Sequence, residues 1–164
     1  MRFVTVMSIA ALAALGCGKT STEVPPLEWH LRIAPACAAA KAENKRILVY
    51  WYATWDVASK ELDTRTFVDG SVRAAVRKEF VPLRMDRTHY YMSETDPFYD
   101  EATREAAIGA EVFPPYASKY GSLVVVDSDC KTVIGRIGAT YEPREFVHAL
   151  RSMPRVGGGT VVNR

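Results

Sequence analysis

Lys45-Arg46-Ile47-Leu48-Val49-Tyr50-Trp51-Tyr52-Ala53-Thr54-Trp55 is the stretch on which the fold turns. Ile47 to Ala53 is an unbroken run of branched and aromatic residues without the polar alternation of a half-exposed strand. It predicts a strand covered on both faces and therefore central in its sheet. Upstream, Ile33 to Asn44 is alanine-rich, with Lys41, Glu43 and Lys45 toward its end, and predicts a short helix stopping at Asn44. Downstream, Trp55 to Phe67 returns to helical spacing, with Leu62 and Phe67 among charges. Val72 to Lys78 predicts another short helix after Asp69-Gly70. Phe80 to Met85 is a second strand, and Pro82, which cannot donate to a ladder, places it at a sheet edge.

Farther along, Asp96-Pro97 predicts an N-cap followed by proline at the first helical position, with Asp100 and Glu101 in the first turn of a helix running to about Gly109. Leu123 to Val126 and Thr132 to Ile137 predict two strands joined by a connection short enough for a hairpin. A last helix starts near Pro143 and turns Phe146, Val147 and Leu150 inward. A strand-helix-strand unit followed by a hairpin and a closing helix implies an α/β fold, a mixed central sheet of about four strands with helices on both faces.

The chain has 164 residues, 48% hydrophobic and 24% charged, which suffices for one domain and not two. Its 21 basic and 19 acidic residues are spread along the chain, leaving a net charge of +2. Phosphate backbones demand denser clusters, so nucleic acid is excluded as the expected partner. Arg73, Arg77 and Lys78 read as the solvated face of a helix.

Residues 1–16 read as a signal peptide: Arg2 is a minimal positive start, Phe3 to Leu15 is apolar, and Gly16 is the small residue expected before a cleavage site. A transmembrane anchor is the alternative, but a span needs about 20 apolar residues and this run is shorter. Residues 17–26, small and polar and ending in Pro25-Pro26, read as a tether. The folded domain is expected at 27–154, followed by a flexible tail at 155–164 with Gly157-Gly158-Gly159.

Ala14-Leu15-Gly16-Cys17 resembles the lipobox of bacterial lipoproteins, which implies acylation of Cys17 and a membrane-anchored protein of the cell envelope facing the periplasm. The match departs at Ala14, where that family usually carries leucine, so ordinary cleavage beside a free cysteine stays open. By the same resemblance, Gly18 in place of aspartate implies the outer rather than the inner membrane.

From about Lys41 to Arg151 the chain resembles the thioredoxin family, and most of all the periplasmic C-terminal domain of thiol:disulfide interchange proteins. The strand ending in Trp55 carries the resemblance, with Lys60-Glu61-Leu62, Thr66-Phe67, Val81-Pro82-Leu83-Arg84-Met85-Asp86, and Val124-Val125-Val126-Asp127 through Gly138. The resemblance implies a thioredoxin fold. It also implies a redox motif Trp-Cys-x-x-Cys-Lys, where this chain has Trp55-Asp56-Val57-Ala58-Ser59-Lys60. That chemistry needs one thiolate as nucleophile and a second thiol to resolve the mixed disulfide. A carboxylate and a hydroxyl do neither.

The degenerate motif positions are therefore Trp55, Asp56, Ser59 and Gly121, the last lying where the family places a cis-proline before a strand; Pro114 and Pro115 come too early to match. Asp56 is suited to cap a helix, worth on the order of 1 kcal/mol, and a new catalytic or metal role for it is the sharper alternative. No catalytic residue, metal ligand or cofactor is assigned.

Cys37 is expected near the motif end of the fold and Cys130 near the opposite end, too far apart for a bond that needs Cα atoms within about 7 Å. Cys37 then reads as a small core residue, and Cys130 as an exposed thiol able to join two copies into a dimer. His30, His89 and His148 lack metal-site spacing. Tyr90, Tyr91 and Tyr116 lie in an aromatic-rich connection and are a possible binding surface, ordinary packing being the alternative.

These features together suggest a redox-inactive binding or scaffolding module of the envelope, its partner an envelope protein or peptide. A thiol-disulfide oxidoreductase is the alternative, and a structural envelope protein without a dedicated ligand is a third.

Overall fold

The computed structural model describes residues 23–89, 92–97, 99–113, 121–138 and 140–154. The stretch quoted above forms β1 (Arg46–Tyr52), buried along almost its whole length. It pairs in parallel with β2 (Phe80–Asp86) and antiparallel with β3 (Ser122–Val126), which in turn pairs antiparallel with β4 (Val133–Ile137). The strand order is β2-β1-β3-β4, so β1 is internal and the proline-bearing β2 lies at an edge, as its missing N–H requires.

Alternation along the strands divides the core into two layers. Ile47, Val49 and Trp51, with Leu83, Met85, Val124 and Val126, face α1 (Ile33–Glu43) and α4 (Glu101–Val112). Leu48, Tyr50, Leu123 and Val125 face the other layer, where Val72, Val76, Phe146 and Leu150 project from α3 (Gly70–Glu79) and α5 (Pro143–Ser152). That layer also holds α2 (Val57–Glu61), which continues as a π-helical turn over Leu62–Thr66. The expected mixed sheet of four strands with helices on both faces is the observed one.

Two expected boundaries shift. The helix predicted to begin at Asp96-Pro97 and stop at Gly109 begins after Asp100, whose carboxylate accepts from the Thr103 N–H (2.8 Å) and hydroxyl (2.9 Å). At Asp96 it is the main-chain carbonyl that accepts the Tyr99 N–H, in a turn. Gly109 does not end α4; it lies against Trp51 and Met85, where a Cβ would come within 2.9 Å of the Trp51 ring. Glycine there permits close packing rather than a stop.

The described residues upstream of α1 are tied to the folded body. Arg73 and Arg77 on α3 donate to the carbonyls of Val24 and Pro26, each at 3.1 Å. His30 then forms a parallel bridge to Leu83 on β2, donating to the Pro82 carbonyl and accepting from the Arg84 N–H. The body's first contacts therefore lie upstream of Leu27.

Candidate functional site

The end of β1 turns through Ala53-Thr54-Trp55 into α2, and Asp56 stands at the helix cap with extended backbone. One oxygen of its carboxylate accepts both the Ser59 N–H (2.7 Å) and the Ser59 hydroxyl (2.8 Å). The Ser59 oxygen in turn accepts the Ala53 N–H at 3.2 Å. Ser59 is 1% exposed, and the Tyr50 hydroxyl donates to its carbonyl at 3.0 Å.

Asp56 and Ser59 thus satisfy one another and the backbone of the turn. The serine hydroxyl donates a hydrogen bond to the carboxylate, accepts one from the Ala53 N–H, and is closed off from solvent. No cluster of three or more histidine, cysteine, aspartate or glutamate side chains that could hold a metal ion occurs among the described residues.

Gly121 completes this end of the fold. Its N–H donates to the Trp51 carbonyl at 2.9 Å, and its φ of +63° is a left-handed state that suits a residue without a Cβ. A Cβ at this position would lie 2.5 Å from the Ala58 side chain. The structure therefore brings Gly121 directly against the Asp56–Ser59 turn as a close backbone approach.

Trp55 is 49% exposed and Val57 72%, a small apolar surface beside the cap. Trp55 is anchored at its rim: its indole N–H donates to the Thr88 carbonyl at 3.1 Å, and the Thr54 N–H donates to the Thr88 hydroxyl. Thr88 is fixed by Asp86, which accepts its N–H (2.8 Å) and hydroxyl (2.5 Å) on one oxygen and the Tyr52 hydroxyl (2.5 Å) on the other.

Beneath this, Arg84 lies over the Tyr52 ring at 3.7 Å and pairs with Asp63 at 2.5 Å. Burial pushes the Asp63 carboxyl above the ordinary range against the opposing pull of Arg84. Burial also raises both tyrosines, Tyr50 with help from the Asp63 charge and Tyr52 with help from its bond to Asp86. These phenols stay protonated donors. The sequence offers Tyr50, Tyr52, Arg84 and Asp86 only as strand residues and gives Asp63 and Thr88 no role; the one local signal for this network is the Asp86-x-Thr88 pattern of a side-chain-closed turn.

The cysteines overturn their expectation. Cys37 and Cys130 form a disulfide, with Cα atoms 5.8 Å apart. Cys37 lies in the middle of α1, and the turn after β3 folds back toward it. Asp129 shapes that turn by accepting the Lys131 and Thr132 N–H groups and the Thr132 hydroxyl, and Cys130 takes a left-handed φ of +60°. Cys130 is therefore not the exposed free thiol expected, and a dimer through it would first require this bond to open.

Tyr90, Tyr91 and Tyr116, the expected binding surface, lie outside the described residues, as do Cys17, the signal segment and the expected tail 155–164. His30 takes part through its backbone in the bridge to β2, and His148 is exposed on α5.

Comparison with known proteins places this arrangement. No curated protein sequence matches the chain. Among solved structures, a DsbH oxidoreductase superposes with a TM-score of 0.61 at 15% identity, covering 88% of this chain and 93% of its own. A thioredoxin from Thermus thermophilus gives 0.54 at 19% identity, covering 77% and 86%. The oxidised C-terminal domain of DsbD from Neisseria meningitidis gives 0.51 at 20%, covering 74% and 91%. At these identities the likeness is one of fold. A family model described as thioredoxin-like matches residues 28–114, more than half of the sequence, and the chain belongs to the thioredoxin-like family.

Proposed function

We propose that this chain is a redox-inactive thioredoxin-like module that binds a peptide or protein of the bacterial cell envelope. The observation that carries the reading is the mutual closure of Asp56 and Ser59, which fills the turn where a dithiol would act with a helix cap and a buried hydroxyl. The apolar surface left there is Trp55 with Val57, held at the indole edge by Thr88. A fixed aromatic side chain offers contact area at small entropic cost.

Placement in the envelope is part of the same proposal: a lipid anchor at Cys17, with the domain facing the periplasm from the outer membrane. The Cys37–Cys130 disulfide supports an oxidising compartment. Mass spectrometry of the native mature N-terminus tests the anchor; an unmodified Cys17 would remove it.

Thiol-disulfide exchange by this chain is the competing reading, and the disulfide is the observation in its favour. That bond is distant from Trp55, because the turn bearing Cys130 follows Val126, the partner of Ile47 at the start of β1. Insulin reduction with dithiothreitol separates the two readings. The binding module gives no turnover above background. Turnover abolished by Cys37→Ser or Cys130→Ser establishes the oxidoreductase.

A further inference from the structure

We propose that the Cys37–Cys130 bond is a redox latch on α1: an external dithiol opens it and releases α1 from the sheet, while the sheet and the Asp56–Ser59 turn stay folded.

Beyond the packing of small side chains on β1 and β2, little else holds this helix. Arg32 at its cap supplies no side-chain bond to the first turn, and no residue of that turn is itself acidic, so the helix start depends on a carboxylate from another element. Its fully buried side chains are Ala36 and Ala40, while Ile33 and Cys37 are only partly buried against the core. Apolar stabilisation scales with the area removed from water, and alanine removes little. The remaining contacts at the start of α1 come from α4, whose Glu105 accepts the Ile33 N–H at 2.7 Å and whose Glu101 pairs with Arg32 in an exposed ion pair. By contrast α5, on the other face, buries Phe146, Val147 and Leu150.

The bond is also placed for attack. Both cysteines are half-buried rather than enclosed, and Cys130 lies in a turn between exposed Asp129 and Lys131. A thiolate of the dithiol attacks the Cys130 sulfur, the S–S bond breaks, and Cys37 leaves as thiolate and takes up a proton. The second thiol of the reductant then displaces Cys130 from the mixed disulfide. Two electrons and two protons pass to this chain, which gains two thiols, and the reductant becomes a disulfide.

The test is amide hydrogen exchange of the full chain carrying Cys17→Ser, so that these are its only two cysteines, compared oxidised, reduced by dithiothreitol without denaturant, and reoxidised. Exchange in α1 is expected to accelerate at least tenfold more than in β1 and β3, and to return on reoxidation. Equal acceleration in helix and strands makes the bond a staple of the whole fold and overturns the latch. No change in α1, or a bond that resists reduction in the native protein, overturns it as well. The Cys37→Ala, Cys130→Ala pair repeats the measurement without reductant; should that variant not fold, the reduction cycle on the native pair still decides.

Discussion

Replacing Gly121 by alanine tests whether the Gly121–Ala58 contact defines the closed end of the fold. The substitution meets two separate penalties. A residue with a Cβ held at φ +63° loses about 1–2 kcal/mol, and a methyl group 2.5 Å from the Ala58 Cβ forces a shift costing about 1–3 kcal/mol. The sum is roughly 2–5 kcal/mol, which for a body of this size lowers Tm by about 8–20 °C. Urea unfolding followed by circular dichroism reads the change as a lower midpoint at constant slope. Ala58→Gly in the same chain removes the steric part but not the backbone part, at a helix-propensity cost of about 1 kcal/mol. The double variant is therefore more stable than the sum of the single losses predicts, by about 1 kcal/mol or more. A Gly121→Ala loss below about 0.5 kcal/mol, within the range of ordinary surface substitutions, would refute the geometry. Additive losses would refute the contact while leaving the backbone argument standing.

Asp56→Ala removes the acceptor of two Ser59 hydrogen bonds and is expected to cost about 1–2 kcal/mol in urea unfolding without changing the insulin-reduction background. Asp86→Ala strands the Tyr52 and Thr88 donors; the expected loss is about 2–3 kcal/mol, with a change in tryptophan fluorescence as Trp55 loses its fixed edge. The carboxyls of Asp69, Asp100 and Asp129 are held below the ordinary aspartate range by hydrogen bonds from Ser71, Thr103 and Thr132. A lowered folded-state pKa contributes stability that is present above the unfolded value near 3.9 and is lost as pH falls through the folded value. The urea midpoint should therefore drop below about pH 4, and the drop should be shallower in Asp100→Asn; an unchanged acid slope would remove Asp100 from the account.

The fold was legible where one residue pattern had a single physical reading. The unbroken apolar run of β1 demands cover on both faces, Pro82 forbids an internal strand, and Phe146, Val147 and Leu150 share one helix face. The start of α4 was misplaced because Asp96 and Asp100 both offer a capping carboxylate; the threonine three residues after Asp100 was the discriminating signal. The disulfide was missed because order along the chain gives the ends of each element but not how far a turn folds back over a neighbouring helix. At the candidate site, the positions Asp56, Ser59 and Gly121 could be read from the sequence, and their closure on one another could not. The Tyr52–Asp86–Thr88 support of Trp55 joins two strands and the turn after β2, so local spacing carried only its Asp86-x-Thr88 part.

The bridge between His30 and β2 bears on how this sheet avoids its own kind. An edge strand with a free row of N–H and C=O groups is a template for another chain. On β2 the Pro82 carbonyl and the Arg84 N–H are already occupied by His30, and Pro82 has no N–H to offer. A second copy approaching β2 at this point meets hydrogen-bonding groups that are already taken, so the chain interrupts its own edge there.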